Sequence, residues 1–180
     1  MTGKNKNKYT GIQVYTGNGK GKTTAALGLA IRAAGHGMKT CIIQFMKGSG
    51  NKYGEHQVLS EMDAIDFFLV GTNECIRKED VTEKHIKAGE KGLILTNHIM
   101  KNNNYDVLIL DEINVAMWFG IVDKNAVLDI LDNKPDTMEI VLTGRYAPEE
   151  IIQKADLVTE MNLIKHPFEH GMKARIGIEY

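Results

Sequence analysis

A chain of 180 residues, 43% hydrophobic and 25% charged, is large enough to bury one core and has the balance of a globular protein rather than a disordered or membrane-spanning one. Its 22 basic and 23 acidic residues leave a formal net charge of −1, so no global positive field draws it to nucleic acid or to an anionic membrane. Two cysteines, Cys41 and Cys75, make no disulfide framework, and with no signal segment in view the chain is expected in a reducing cytoplasm.

A single domain over residues 1–180 is expected, with 1–10 as a flexible N-terminal tail made basic by Lys4, Lys6 and Lys8. From Gly11 a short apolar strand runs to Val14 and Tyr15 and then into a glycine-rich loop, Thr16-Gly-Asn-Gly-Lys-Gly-Lys-Thr-Thr24. Gly17, Gly19 and Gly21 let successive backbone N–H groups turn toward one point, and the helix that begins near Lys22 aims its own unsatisfied amides at the same place. An anion belongs there. Lys22 brings a positive charge for the outer phosphates of a nucleotide, Thr23 the hydroxyl that usually binds magnesium, and Lys20 and Thr24 further polar reach. The strict form of this loop has glycine where this chain has Thr16, a β-branched residue that fits where the loop leaves the strand in extended conformation.

Thr24 to Ala34, rich in Ala and Leu, continues the helix, whose small side chains suit close packing on a sheet, and Gly35-His36-Gly37 ends it. Lys39 to Met46 reads as a buried strand that runs into a polar loop. In a parallel sheet that loop shares an edge with the phosphate loop, so Gln44 and Lys47 are expected near the site. A short helix over Glu55 to Met62 and a strand over Ile65 to Val70 follow, and then a rim loop from Gly71 to Ile76. Asp80 to Lys101 has helical periodicity, with Ile86, Leu93 and Met100 on one face and Leu95 and Ile99 on the other. One face is expected on the sheet and the other is available to a second subunit.

Tyr105 to Leu110 is a central strand delivering Asp111 and Glu112 at its end. Four aliphatic residues followed by an acid match the strand that presents a carboxylate to magnesium beside a phosphate loop, although the same acids also suit the cap of a following helix. A helix over Asn125 to Leu131, a strand over Glu139 to Leu142 ending in Thr143-Gly144-Arg145, a helix from Pro148 to Lys154 and a last strand from Leu157 to Met161 complete the pattern. Arg145 thus falls at the site edge, where an arginine can grip a triphosphate bidentately. Strands alternating with helices give an α/β protein: three layers, α/β/α, around a mainly parallel sheet of about five or six strands.

The segments TGNGKGKTTAA (16–26), LDEINVA (110–116), LTGRYAP (142–148), ADLVTEM (155–161) and KHPF (165–168) together resemble the ATP:corrinoid adenosyltransferases of the phosphate-loop type. The match extends over nearly the whole chain, and Thr16 in place of glycine is shared with that family. The resemblance implies a P-loop NTPase fold of the recombinase-like kind, a homodimer, ATP and Mg2+, a cytoplasmic setting, and a reducing partner such as a flavoprotein. It also implies the reaction. A Co(I) corrinoid attacks the 5′ carbon of ATP and the whole triphosphate leaves, in adenosylcobalamin synthesis or salvage, with ATP lying in the loop in the sense opposite to that of most ATPases.

On that reaction Lys20 and Lys22 would act on the departing triphosphate, and Arg145 is added to them from its place at the site edge. Thr16, Gly17, Asn18, Gly19, Lys20, Gly21, Lys22, Thr23 and Thr24 would contact the nucleotide, and Thr23, Asp111 and Glu112 would hold magnesium. Some members carry an aromatic cluster in the loop after the third strand that eases reduction of the cobalt. Here that loop, Gly71 to Ile76, has no aromatic residue, which leaves Trp118 and Phe119 as candidates for meeting the corrinoid or as core residues. Two other functions remain compatible with the loop and the acids: an ATP-hydrolysing or small-molecule kinase, and a non-catalytic carrier of nucleotide or adenosylcorrinoid. Kinases usually surround the transferred phosphate with several arginines, and this chain has four in all, Arg32, Arg77, Arg145 and Arg175.

Overall fold

The computed structural model describes residues 10–49 and 53–179, so the basic stretch with Lys4, Lys6 and Lys8 lies outside the described residues. Six strands, β1 (Ile12–Thr16), β2 (Thr40–Phe45), β3 (Ile65–Val70), β4 (Val107–Asp111), β5 (Glu139–Thr143) and β6 (Leu157–Glu160), form one sheet in the order β3-β2-β4-β5-β1-β6. Every pairing is parallel. Among the described residues six α-helices accompany them: α1 (Lys22–Ala34), α2 (Gly54–Leu59), α3 (Glu83–Asn102), α4 (Ile113–Trp118), α5 (Lys124–Asp132) and α6 (Glu149–Lys154).

Successive side chains of a strand point to opposite faces, and a parallel sheet is covered on both, which is why its central strands are apolar throughout. Cys41, Ile43, Leu108, Leu110, Ile140 and Leu142 pack under α3, α4, α5 and α6. Their neighbours Ile42, Ile109 and Val141 pack with Ala26, Leu27, Ala30 and Ala33 of α1 and Leu59 of α2 on the other side. The result is the expected three-layer α/β/α arrangement.

Three features differ from the expectations. The helix that follows the acids is the six-residue α4, and Glu112 stands at its start without a side-chain capping hydrogen bond, so the capping alternative for the acids is not realised through that side chain. Helix α3 seats a different stripe from the one read from its large apolar residues: His85, Gly89, Gly92, Thr96, Ile99 and Met100 are buried, whereas Ile86 is exposed. The stripe has the right 3–4 spacing, with glycines where the helix lies too close to its neighbours for a side chain. A β-carbon on Gly92 would come within 2.5 Å of the Phe45 ring, and one on Gly89 within 2.7 Å of the Ile121 carbonyl oxygen. Met100 and Leu93 of one expected face and Ile99 and Leu95 of the other all pack on the core, so the second face is not free for a subunit contact. Finally, Trp118 is not a core residue, since 49% of it is exposed.

Candidate active site

All six strands run the same way, so the turns after β1, β2, β4 and β5 open along one edge of the sheet. The glycine loop leaves β1 and enters α1 through Gly21, whose φ of 119° lies in the left-handed region that glycine tolerates. Gly17 is also left-handed, with φ 91°, and a β-carbon there would stand 2.5 Å from the Met161 carbonyl oxygen. That oxygen accepts the Gly19 N–H at 2.6 Å, so the chain beyond β6 braces the loop from outside. Thr16, the departure from the strict pattern, pairs in the sheet as a strand residue, and its hydroxyl accepts the Ala147 N–H at 3.3 Å, tying the loop after β5 to the start of the phosphate loop.

Lys22 is buried beneath the loop, where its Nζ donates to the carbonyl oxygens of Gly17 (2.8 Å) and Gly19 (2.6 Å). Burial lowers its pKa from the usual amine value, against the opposing pull of Glu112. Asp111 ends β4 with 1% of its surface exposed. One carboxylate oxygen accepts the hydroxyls of Thr23 (2.9 Å) and Thr143 (2.6 Å), and the other accepts Gln44 Nε2 at 2.6 Å. The strand order explains this convergence. β5 lies between β1 and β4, so its last residue, Thr143, sits between the loop and the acid and bridges them.

Glu112 turns the chain from β4 into α4 with φ 60°, an unusual conformation for a residue with a β-carbon, and its N–H is held by the Thr143 hydroxyl at 3.0 Å. Burial, and then the adjacent Asp111 charge, raise its pKa above the ordinary carboxylate value, while Lys47, Lys22 and Arg145 oppose the shift. Two neighbouring carboxylates and the Thr23 hydroxyl make an all-oxygen donor set that calls for a cation. Among the described residues there is no cluster of three His, Cys, Asp or Glu side chains able to enclose a metal. An all-oxygen set of this kind fits Mg2+, which keeps several waters and takes phosphate oxygens alongside one or two carboxylates.

A cleft of about 530 Å³ opens over the loop, with Lys47, Glu55, Glu112, Arg145 and His166 on its rim. Residues 18–24 line it as well, whereas Thr16, Gly17 and Asp111 of the predicted set do not: the Thr16 hydroxyl is turned to the Ala147 N–H, and Asp111 lies behind Thr23, which hydrogen-bonds it. Arg145 is the arginine on that rim among the described residues. Gln44 and Lys47 lie where the loop after β2 was expected to bring them.

The sequence reading missed three parts of the site. His56 Nε2 meets Gln44 Oε1 at 3.0 Å; as this oxygen can only accept, the histidine donates, extending the Asp111 network outward. Thr143 was seen only as the end of a strand. The C-terminal turn reaches back 158 residues, so that Lys20 Nζ donates to the Ile178 carbonyl oxygen (2.7 Å) and pairs with Glu179 at 3.1 Å. Arg175 in turn holds the Glu179 carboxyl down to about 2. A polar glutamine inside the apolar run KTCIIQFM was the one signal for the first; nothing local announces the third.

Among the described residues both cysteines are free, Cys41 buried and Cys75 exposed, and no helix is long and apolar enough to cross a membrane. The KaiC-like protein PH0186 of Pyrococcus horikoshii OT3 superposes with a TM-score of 0.57 over 87% of this chain and 74% of that one, at 15% identity, a likeness of fold alone. Corrinoid adenosyltransferases of Sinorhizobium sp and Escherichia coli (strain K12) are 37% and 34% identical to it, over 94% of this chain and 79% and 85% of those proteins. The family model described as ATP:corrinoid adenosyltransferase BtuR/CobO/CobP matches residues 8–180. With a phosphate loop, a paired acid strand and this extent of similarity, the chain belongs to the ATP:corrinoid adenosyltransferase family.

Proposed function

We propose that this corrinoid adenosyltransferase works as one domain in the cleft over the glycine loop, with ATP held by residues 16–24. The reading is carried by the Thr23–Asp111 hydrogen bond, which joins the loop to the acid strand across 88 residues at 2.9 Å. The reaction needs no base to activate water, because the nucleophile is the substrate's own Co(I) centre. Its electron pair forms the Co–C5′ bond, the C5′–O bond breaks, and the triphosphate leaves with that bonding pair, so the cobalt ends as alkylated Co(III). What the protein supplies is position and positive charge. Lys22 exchanges its two loop carbonyls for phosphate oxygens, Lys20 and Arg145 approach the same group from the rim, and the Gly21 amide lies in the loop beneath it, the Gly19 N–H being held instead by the Met161 carbonyl.

Thr23, Asp111 and Glu112 would hold Mg2+, which when bound adds charge to stabilise the leaving triphosphate. Gln44 and Thr143 fix the Asp111 carboxylate for that task. The Co(I) state is delivered by a separate reducing partner such as a flavoprotein, in the cytoplasm. The deciding experiment is an anaerobic assay with a Co(I) corrinoid, ATP and magnesium. Light-sensitive adenosylcorrinoid formed over many turnovers with equimolar triphosphate is expected. ADP and phosphate would overturn the reading in favour of a kinase or ATPase, and a single turnover with retained product in favour of a carrier.

The protein is expected to act as a homodimer. Leu157 and Val158 of the edge strand β6 are exposed, as are Ile164 (96%) and Ile176 (82%) in the segment beyond it, apolar side chains of the kind a second copy would cover. Sedimentation at micromolar concentration should give twice the chain mass of 20.1 kDa, and a monomer there would rule the dimer out.

A further inference from the structure

Two large aromatic side chains stand exposed on segments that lead away from the cleft, and the chemistry already assigned to it leaves both unused. Trp118, at the end of α4, is 49% exposed, and Tyr146, in the turn after β5, is 47% exposed. Their ring centroids lie 5.1 Å apart with planes inclined by 33°. Each follows a residue on the cleft rim: Tyr146 comes directly after Arg145, and α4 begins directly after Glu112. Tyr146 adopts φ 62°, a left-handed conformation that costs a residue with a β-carbon strain energy, as is common where a turn serves a binding site. Lys78, from the segment after β3, places its Nζ 4.1 Å from the indole centroid and makes no ion pair among the described residues. Three separate segments thus bring an aromatic pair and one unneutralised cation to a single spot.

We propose that Trp118 and Tyr146 form the platform on which the corrin ring docks, and that Lys78 recognises an acidic group on the ring's periphery. The proposal rests on the transferase reading, which requires a broad, flat, largely apolar macrocycle to approach the nucleotide cleft from outside. Aromatic faces suit such a surface, and a cation beside them suits a corrinoid that still carries side-chain carboxylates. The occupant is a corrinoid because Tyr146, which carries the ring pair, directly follows Arg145 of the cleft that holds its reaction partner.

The test uses the whole protein and steady-state kinetics with two Co(I) corrinoids, fully amidated cobalamin and a corrinoid bearing free carboxylates. Trp118→Ala and Tyr146→Ala are each expected to raise the KM for both corrinoids about tenfold or more, with the KM for ATP moving less than twofold. Trp118→Phe should recover most of the loss. Lys78→Ala is expected to raise KM for the acidic corrinoid alone. As Trp118 is the only tryptophan, quenching of its emission gives corrinoid affinity directly in the Tyr146 and Lys78 variants. Unchanged corrinoid KM values in folded Trp118→Ala and Tyr146→Ala proteins, against an active wild type, would overturn the platform and spare the transferase reading. A wild type that adenosylates neither corrinoid would overturn both.

Discussion

Lys22→Ala is expected to lower kcat by about 10³-fold, the upper end of what removing one preorganised donor from a developing anion costs. The leaving triphosphate carries several negative charges, and Lys22 is the cation buried beneath the loop that would cradle it. Its Nζ is already placed by the Gly17 and Gly19 carbonyls, so little reorganisation is needed when phosphate oxygens replace them. The fold should survive. The substitution removes two hydrogen bonds and leaves two loop carbonyls able to turn to water, a loss of about 1–2 kcal/mol that melting curves would register. Single-turnover triphosphate release separates chemistry from binding. A variant that binds ATP and still releases triphosphate at the wild-type rate would remove Lys22 from the catalytic group and move the burden to Lys20 and Arg145, both on the exposed rim.

The architecture was legible where one local rule decided the outcome. The run IDFFLV became β3 at Ile65–Val70 because its ends are set by turn residues and its body by β-forming side chains. The glycine loop was legible for a similar reason: Gly17 and Gly21 occupy left-handed backbone that other residues avoid, so their spacing records a geometry. Helix α3 was misread because a close-packed stripe of His85, Gly89, Gly92 and Thr96 does not look hydrophobic, though its spacing is regular. A pattern search weighted by side-chain size follows Ile86 instead, the residue left in solvent.

What long-range pairing decides was out of reach. The Lys20–Ile178 contact and the Trp118–Tyr146 ring pair depend on which turns share an edge of the sheet, and that follows only from the strand order. Thr143 shows the boundary well. As a residue at a strand end it is unremarked, and it becomes the bridge between loop and acid only once β5 is known to lie between β1 and β4.

Asp111→Asn should give the second largest effect, a fall in kcat of about 10²-fold or more with a higher magnesium requirement. The charge, and not the shape, is what this replacement removes. In the native protein all three neighbours of Asp111 act as donors: the Thr23 and Thr143 hydroxyls to one oxygen and the Gln44 amide to the other. An asparagine offers one acceptor and one donor to that set. If its amide faces the threonines, their hydroxyls can rotate to accept, but Thr143 would then lose the acceptor that orients it while it receives the Glu112 N–H. If the amide faces Gln44, two N–H groups oppose each other, and Gln44 can relieve this only by turning its oxygen inward and away from His56. The first arrangement is the less disruptive, so the melting temperature is expected to fall by only a few degrees. Loss of the negative charge next to Glu112 should also return that group toward its ordinary pKa, because the Asp111 charge is one cause of its upward shift. Activity restored fully by raised magnesium would mark Asp111 as a ligand or a positioner of one. Wild-type activity at ordinary magnesium would show that the acid strand serves the fold alone, and that Glu112 holds the cation without help from its neighbour.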